Sequence, residues 1–350
     1  MSDLVSGWER KSLYWAKQTT WGTAVETGFI KVPEDSRVWP YSPRPVMIPG
    51  EAGGDGLPYR SHWKVTQGAP GFRATTTHPC TQQIVADAFY LLFQGQTTMY
   101  TATHTYLSTH ASGGASVTWV ADHGTDWVYA TVVALNDDGA DPTSAMRAHS
   151  CVVPQIDLTI PSASAGETGG IATIGIGWLG YEGTRSSSYT LDSPETKNEA
   201  HWHRKDWSFK IASTEYDFVN ANLSFTNNAT LKPKASGIVY GPLNVTGSVT
   251  ILFDNDSNKA ADLFLDSLEA PTVSSALLRT IHFVHNDGSK DDFDAALPVL
   301  PTGPPTRGDL GGVETLTFNF QLVGDASSYP IIKIDDETDF DLTDSTFYTA

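Results

Sequence analysis

From residue 243 to 253 the chain alternates. Leu243, Val245, Val249, Ile251 and Phe253 fall on every second position with Gly247 in the same series, and Asn244, Thr246, Ser248 and Thr250 lie between them. A period of two predicts a strand with one buried face. Asp254, Asn255 and Asp256 break it, and Ser257 is placed to cap a helix by accepting from a first-turn N–H. Ala261, Phe264, Leu265 and Leu268 then follow at i, i+3, i+4 and i+7, one apolar stripe. The same order occurs earlier. Residues 63–77 read as extended chain interrupted by Gly68, Pro70 and Gly71. Thr81 then opens a helix carrying Val85, Ala88, Phe89 and Leu92, and Gly95 ends it. We read one strand–helix unit used twice.

Other segments predict further strands: residues 29–32, 117–120, 127–135, 152–160, 171–181, 218–225 and 316–322, with a hairpin joining 279–285 to 292–297 across Asn286-Asp287-Gly288. Asp122-His123-Gly124 and Asn136-Asp137-Asp138-Gly139 read as turns. Pro154 predicts an edge position or a strand start. Residues 37–59 are too dense in Pro and Gly for a helix and read as a long arm. Residues 227–242 read as a loop, 298–312 as a second Pro/Gly-rich loop, and 335–344 as an acidic tail. The Ser-, Thr-, Glu- and Gly-rich stretch 181–200 predicts a boundary between a first domain, 1–185, and a second, 186–350.

Composition narrows the class. The chain has 350 residues, 40% of them hydrophobic, with 30 glycines and 20 prolines scattered without period. Short Val/Ile/Thr/Phe runs in that setting predict a mainly β globular protein with a sizeable core. Lys and Arg total 22 against 40 Asp and Glu, a formal net charge of −18. Tight binding to nucleic acid needs clustered cations that displace counterions, so this balance argues against it. Two cysteines, Cys80 and Cys151, make neither a disulfide framework nor a metal quartet and read as buried thiols. The first residues carry no apolar run of the signal-peptide kind, and no stretch predicts a membrane span.

No constellation for catalysis emerges. His201 and His203 have a spacing that suits two metal ligands, but no third ligand is nearby and Arg204 and Lys205 repel a cation. Asp254-Asn255-Asp256-Ser257-Asn258 starts like a calcium loop, yet Lys259 stands where glycine is needed and Leu265 where a carboxylate is needed, so a helix cap accounts for it. Asp291-Asp292 and Asp335-Asp336 read as solvated acids rather than a glycosidase pair. Arg307-Gly308-Asp309 reads as a turn. Trp119, Trp127 and Trp178 lie in alternating strands and are core candidates, while Trp8, Trp15, Trp21, Trp39, Trp63, Trp202 and Trp207 leave room for sugar stacking or subunit contacts. The expectation is no catalytic residue, no cofactor-binding residue and no metal ligand, hence a non-enzyme.

Three stretches in order carry a family likeness: Lys17-Gln18-Thr19-Thr20-Trp21-Gly22-Thr23-Ala24 with Phe29-Ile30-Lys31-Val32; Cys151-Val152-Val153 and Ile156-Asp157-Leu158-Thr159-Ile160 with residues 171–178; and Asn222-Leu223-Ser224-Phe225-Thr226-Asn227-Asn228 with residues 243–253 and the helix after them. In these the chain resembles the major tail tube proteins of long-tailed, non-contractile bacteriophages, although such proteins usually have a glutamate near Gln18. The resemblance implies a tail-tube-type β-sandwich or barrel fold flanked by a short α-helix, and the repeated strand–helix unit predicts two such domains in tandem. It implies a ring of three two-domain chains, or of six chains, with rings stacked through arms such as 37–59, 227–242, 298–312 and the C-terminus. The implied partners are other copies of itself, a tape measure protein and other tail proteins. The resemblance further implies that DNA passes through the lumen without specific binding, that nothing inserts into a membrane, and that the location is the virion after synthesis in the host cytoplasm. The alternatives are a carbohydrate-binding β-sandwich module, a tail terminator or a head decoration protein.

Overall fold

The computed structural model describes residues 11–18, 20–32, 46–49, 63–66, 72–93, 97–100, 103–107, 128–136, 145–162, 170–180, 182–186, 191, 195–196, 200–231, 237–239, 241, 243–253, 279–286, 291–323 and 330–335. They form a mainly β, almost wholly antiparallel protein with one α-helix among them. The first layer runs β5 (Phe72–Pro79), β10 (Thr173–Gly180), β9 (Ala145–Ile160), β15 (Phe218–Thr226), β18 (Asn244–Leu252) and β22 (Val313–Leu322), each hydrogen-bonded to the next. β21 (Thr306–Leu310) lies along the outer edge of β22.

At the end of β22 the sheet passes to β20 (Asp291–Pro301) and folds over. The second layer continues through β19 (Arg279–Asn286) and β13 (Trp207–Ile211) to β14 (Thr214–Tyr216). On the other side of β20 come β23 (Ile331–Asp335), β7 (Thr103–Leu107) and β6 (Thr97–Tyr100). Rings close the gap between layers: Phe283 to Phe320 at 6.3 Å and Phe209 to Phe218 at 6.2 Å.

A third group pairs in the order β12 (Glu195–Thr196), β2 (Ile30–Val32), β1 (Lys11–Gln18), β8 (Tyr129–Asn136), the first part of β9, and β11 (Glu182–Ser186). β9 thus belongs to two sheets. It changes sheet at Ser150, whose φ of 53° puts it in the left-handed region, where the register with β8 also slips. A bulge of this kind bends a strand and lets it turn a corner. Two small ladders remain, β3 (Val46–Pro49) with β4 (Trp63–Thr66) and β16 (Thr230–Leu231) with β17 (Ile238–Val239).

The helix α1 (Gln82–Leu92) begins where Thr81 predicts, and Thr81 Oγ1 accepts from Ile84 N–H at 3.4 Å. The sequence predicts an apolar stripe on one face. Instead every residue from Gln83 to Leu92 is buried, because Phe89 touches Phe225 of the first layer at 5.0 Å and Phe293 of the second at 5.8 Å. Polar groups on α1 are therefore bonded inside: Asp87 accepts from Trp15 Nε1 at 2.8 Å and from Gln83 Nε2 at 2.6 Å. His78 sits beside them, packed edge-on to Trp15 with its Nε2 2.7 Å from Thr76 Oγ1, and burial pushes its pKa down to about 3.

Several expectations change. Pro154 is neither at an edge nor at a strand start: β9 is flanked by β10 and β15, and Pro154 sits where the β10 register slips between Gly177 and Leu179. A bulge is the other position that tolerates a missing N–H. The stretch read as a loop at 298–312 contains the end of β20 and the strand β21. The stretch read as a boundary carries β11 and β12. Strands cross the 185/186 division, since β9 pairs with β15 and β7 with β23, and one core cluster contains Trp15, Phe89, Phe225 and Phe320. The expected strand at 117–120, the turn at 122–124 and the second helix at 257–268 lie outside the described residues, as do most of the arm 37–59 and the tail beyond Asp335.

Candidate functional site

The first layer has one face in the core and one facing away. Register fixes what the outer face carries, because directly paired residues point the same way. One row reads Thr77, Gly175, Asp157, Ser224, Thr246, Gln321 across the six strands. The next reads Thr173, Thr159, Asn222, Ser248, Asn319. A third reads Thr75, Gly177, Gln155, Thr226, Asn244. The core row between the first two is His78, Ile174, Leu158, Leu223, Gly247, Phe320.

The outer face is made of hydroxyls, amides and glycines. Asp157 and, at the β5 end, Arg73 are its charged residues among the described positions, although 18% of the chain is charged. The Asp157 carboxylate is held within the face: Ser224 Oγ donates to Oδ1 at 2.6 Å, and Gln155 Nε2 lies 3.0 Å from Oδ1 and 2.8 Å from Oδ2. Thr250 and Thr317 join hydroxyls at 2.9 Å across β18 and β22. A Cβ at Gly175 would lie 3.5 Å from Asp157 Cβ, an ordinary contact, so packing does not demand glycine there. Gly175 and Gly177 instead leave a bare strip beside the carboxylate. A shallow hollow forms over Asp157, Thr159, Asn222, Ser224, Thr246 and Ser248.

The chain matches the sequence profile described as "Phage tail tube protein" over residues 8–322. It belongs to the phage tail tube protein family. Membership of the phage tail tube family makes this a structural protein of the virion that assembles with copies of itself and with other tail proteins. The matched range spans both sides of the 185/186 division. No individual curated protein matches the chain.

Within this tail tube chain the candidate residues fall as follows. His201 is exposed and His203 half-buried, bridged to Ile171. Arg204 beside them is occupied: its guanidinium lies 3.7 Å from the Phe218 ring centre and donates to the carbonyls of Phe218 and Val219. Among the described residues no group of three or more His, Cys, Asp or Glu is placed to hold a metal. Arg307-Gly308-Asp309 is not a turn but part of β21, where Arg307 pairs with Glu314 at 3.1 Å and Asp309 accepts from Gly312 N–H at 3.0 Å. Trp15, Trp178, Trp202 and Trp207 are buried in the core and Trp21 is half-buried, so these five offer no exposed stacking platform. Cys80 and Cys151 are buried free thiols. The alignment of these polar rows depends on strand register, and the Asn, Thr and Ser alternation of residues 244–250 is the part visible in the sequence.

Proposed function

We propose that copies of this chain join edge to edge into rings, that rings stack into the tube of a long, non-contractile phage tail, and that the polar face of the first layer lines the lumen through which genome DNA passes. The observation that carries this is the six-strand face of hydroxyls, amides and glycines in a chain of net charge −18. A conduit must not hold its cargo. An acidic wall would repel phosphates outright; among the described residues this face is instead nearly neutral, with the Asp157 carboxylate at its centre and the Arg73 cation at its margin. Few counterions are released when DNA lies along such a wall, so passage leaves little binding energy to overcome.

The shared core and the β9–β15 ladder favour one wall segment per chain and a ring of six; three two-domain chains is the rival. A tape measure protein is the expected occupant of the lumen before DNA. Electron microscopy of purified protein with native mass measurement tests the assembly: rings near six times 37.9 kDa support it, three times supports the rival, and a persistent monomer overturns both. For the lumen face, Ser248→Lys and Asp157→Lys tubes are compared with the unchanged tube. Salt-sensitive retention of DNA by the lysine tubes is expected. Retention equal to that of the unchanged tube would remove this face from the lumen.

A further inference from the structure

The first layer is a run of seven antiparallel strands, β5-β10-β9-β15-β18-β22-β21, and its two ends differ in kind. β5 pairs with β10 alone among the described residues, and β21 with β22 alone. All five residues of β21 are exposed, so this strand adds nothing to the core. Gly311 and Gly312, with φ of 63° and 93°, form the two-residue turn that holds it against β22. Leu310 and Val313 flank that turn, 41% and 48% exposed. An uncovered strand edge with an apolar tip is a liability in a soluble protein unless something pairs with it.

Direction decides what can pair. Each neighbour in the run is antiparallel to the last, so β5, β9, β18 and β21 all point one way. In a cyclic assembly one edge of each copy meets the other edge of the next, with no copy turned over. We infer that β21 of one copy pairs in parallel with β5 of its neighbour, and that this joint closes the ring. This rests on the ring reading above and assigns its contact.

The faces agree. Thr306, Gly308 and Leu310 lie on the outer face, opposite Thr317, Thr315 and Val313, and Thr75 and Thr77 lie on that same face of β5. Joining the edges therefore continues the polar rows from copy to copy. The occupant is a second copy because the two edges are the ends of one sheet with matching polarity.

Disulfide trapping in assembled particles tests the joint. Thr75→Cys is combined in one chain with Thr306→Cys or with Leu310→Cys, both on the matching face and two turns of the pleat apart, so that either register is caught. Asp309→Cys, on the opposite face, is the control. Cys80 and Cys151 are buried and keep the background low. The expected result is a ladder of multimers for at least one matched pair, lost on reduction and missing from the control. If the variants do not assemble, hydrogen exchange of the unchanged protein decides. Residues 73–77 and 306–310 should each slow by about tenfold or more on assembly. Rings without crosslinks for either pair, or without added protection at both strands, overturn the joint and leave the ring standing. Absence of any ring overturns both.

Discussion

The Gln18 carboxamide is bonded at both ends to Ser150: its oxygen accepts from Ser150 N–H at 2.8 Å, and its nitrogen donates to Ser150 Oγ at 2.9 Å. The same oxygen accepts from Thr131 Oγ1 at 3.0 Å, and Ser150 Oγ accepts from Gly22 N–H at 2.8 Å. One buried side chain of β1 thus holds the corner at which β9 changes sheet. Gln18→Ala leaves the Ser150 N–H and the Thr131 hydroxyl without that acceptor, at a cost of about 2–3 kcal/mol in stability. Chemical denaturation measures it, and a loss below about 0.5 kcal/mol would show that the corner holds without its brace.

Gly247 occupies a core-facing position because the Phe320 ring fills the place of its side chain. A Cβ there would lie 2.6 Å from Phe320 Cζ and 2.6 Å from Asn222 O. Gly247→Ala is expected to destabilise by about 1–3 kcal/mol. In a Phe320→Leu background the same change should cost less, since the ring contact is relieved while the Asn222 contact remains. A double-mutant cycle reads this coupling, and strict additivity would refute the reading.

His78 makes stability fall in acid. In the native fold its ring stays neutral down to about pH 3, whereas the unfolded chain takes up the proton near 6.5. Above that value both states are neutral and the group contributes no slope. Below it the unfolded state holds the extra proton, so stability falls with pH by up to about 1.4 kcal/mol per unit until about pH 3. The difference in stability between the unchanged protein and His78→Gln should therefore narrow as pH drops from 6.5. A constant difference would exclude His78 as the source.

Burial pushes the pKa of both thiols up, which keeps them protonated and unreactive. A thiol reagent at neutral pH should modify neither Cys80 nor Cys151 in the native protein and both after denaturation. Labelling counted by mass spectrometry checks this, and rapid native labelling of either would contradict its placement.

Strands with one buried face are legible: β10, β15, β18 and β22 alternate over six or more residues, and Thr81 marks the start of α1. What the pattern concealed has physical causes. β23 and β21 are five residues each, too short for a period to register, and β21 is exposed on both faces. β1 is buried on both faces from Ser12 to Ala16, with Trp15 in the core, so no polar alternation marks it as a strand. The corner at Ser150 depends on one residue with positive φ, which a serine does not announce. The polar face needed register: the hydroxyls and amides on separate strands become one surface only when Asp157 is known to lie opposite Ser224.

Because sixteen consecutive residues of β9 run through the corner and serve both sheets, neither sheet can be peeled away while the other stays whole. Load applied at one end of the wall is carried through covalent backbone into the other, and rupture should come in one cooperative event rather than strand by strand.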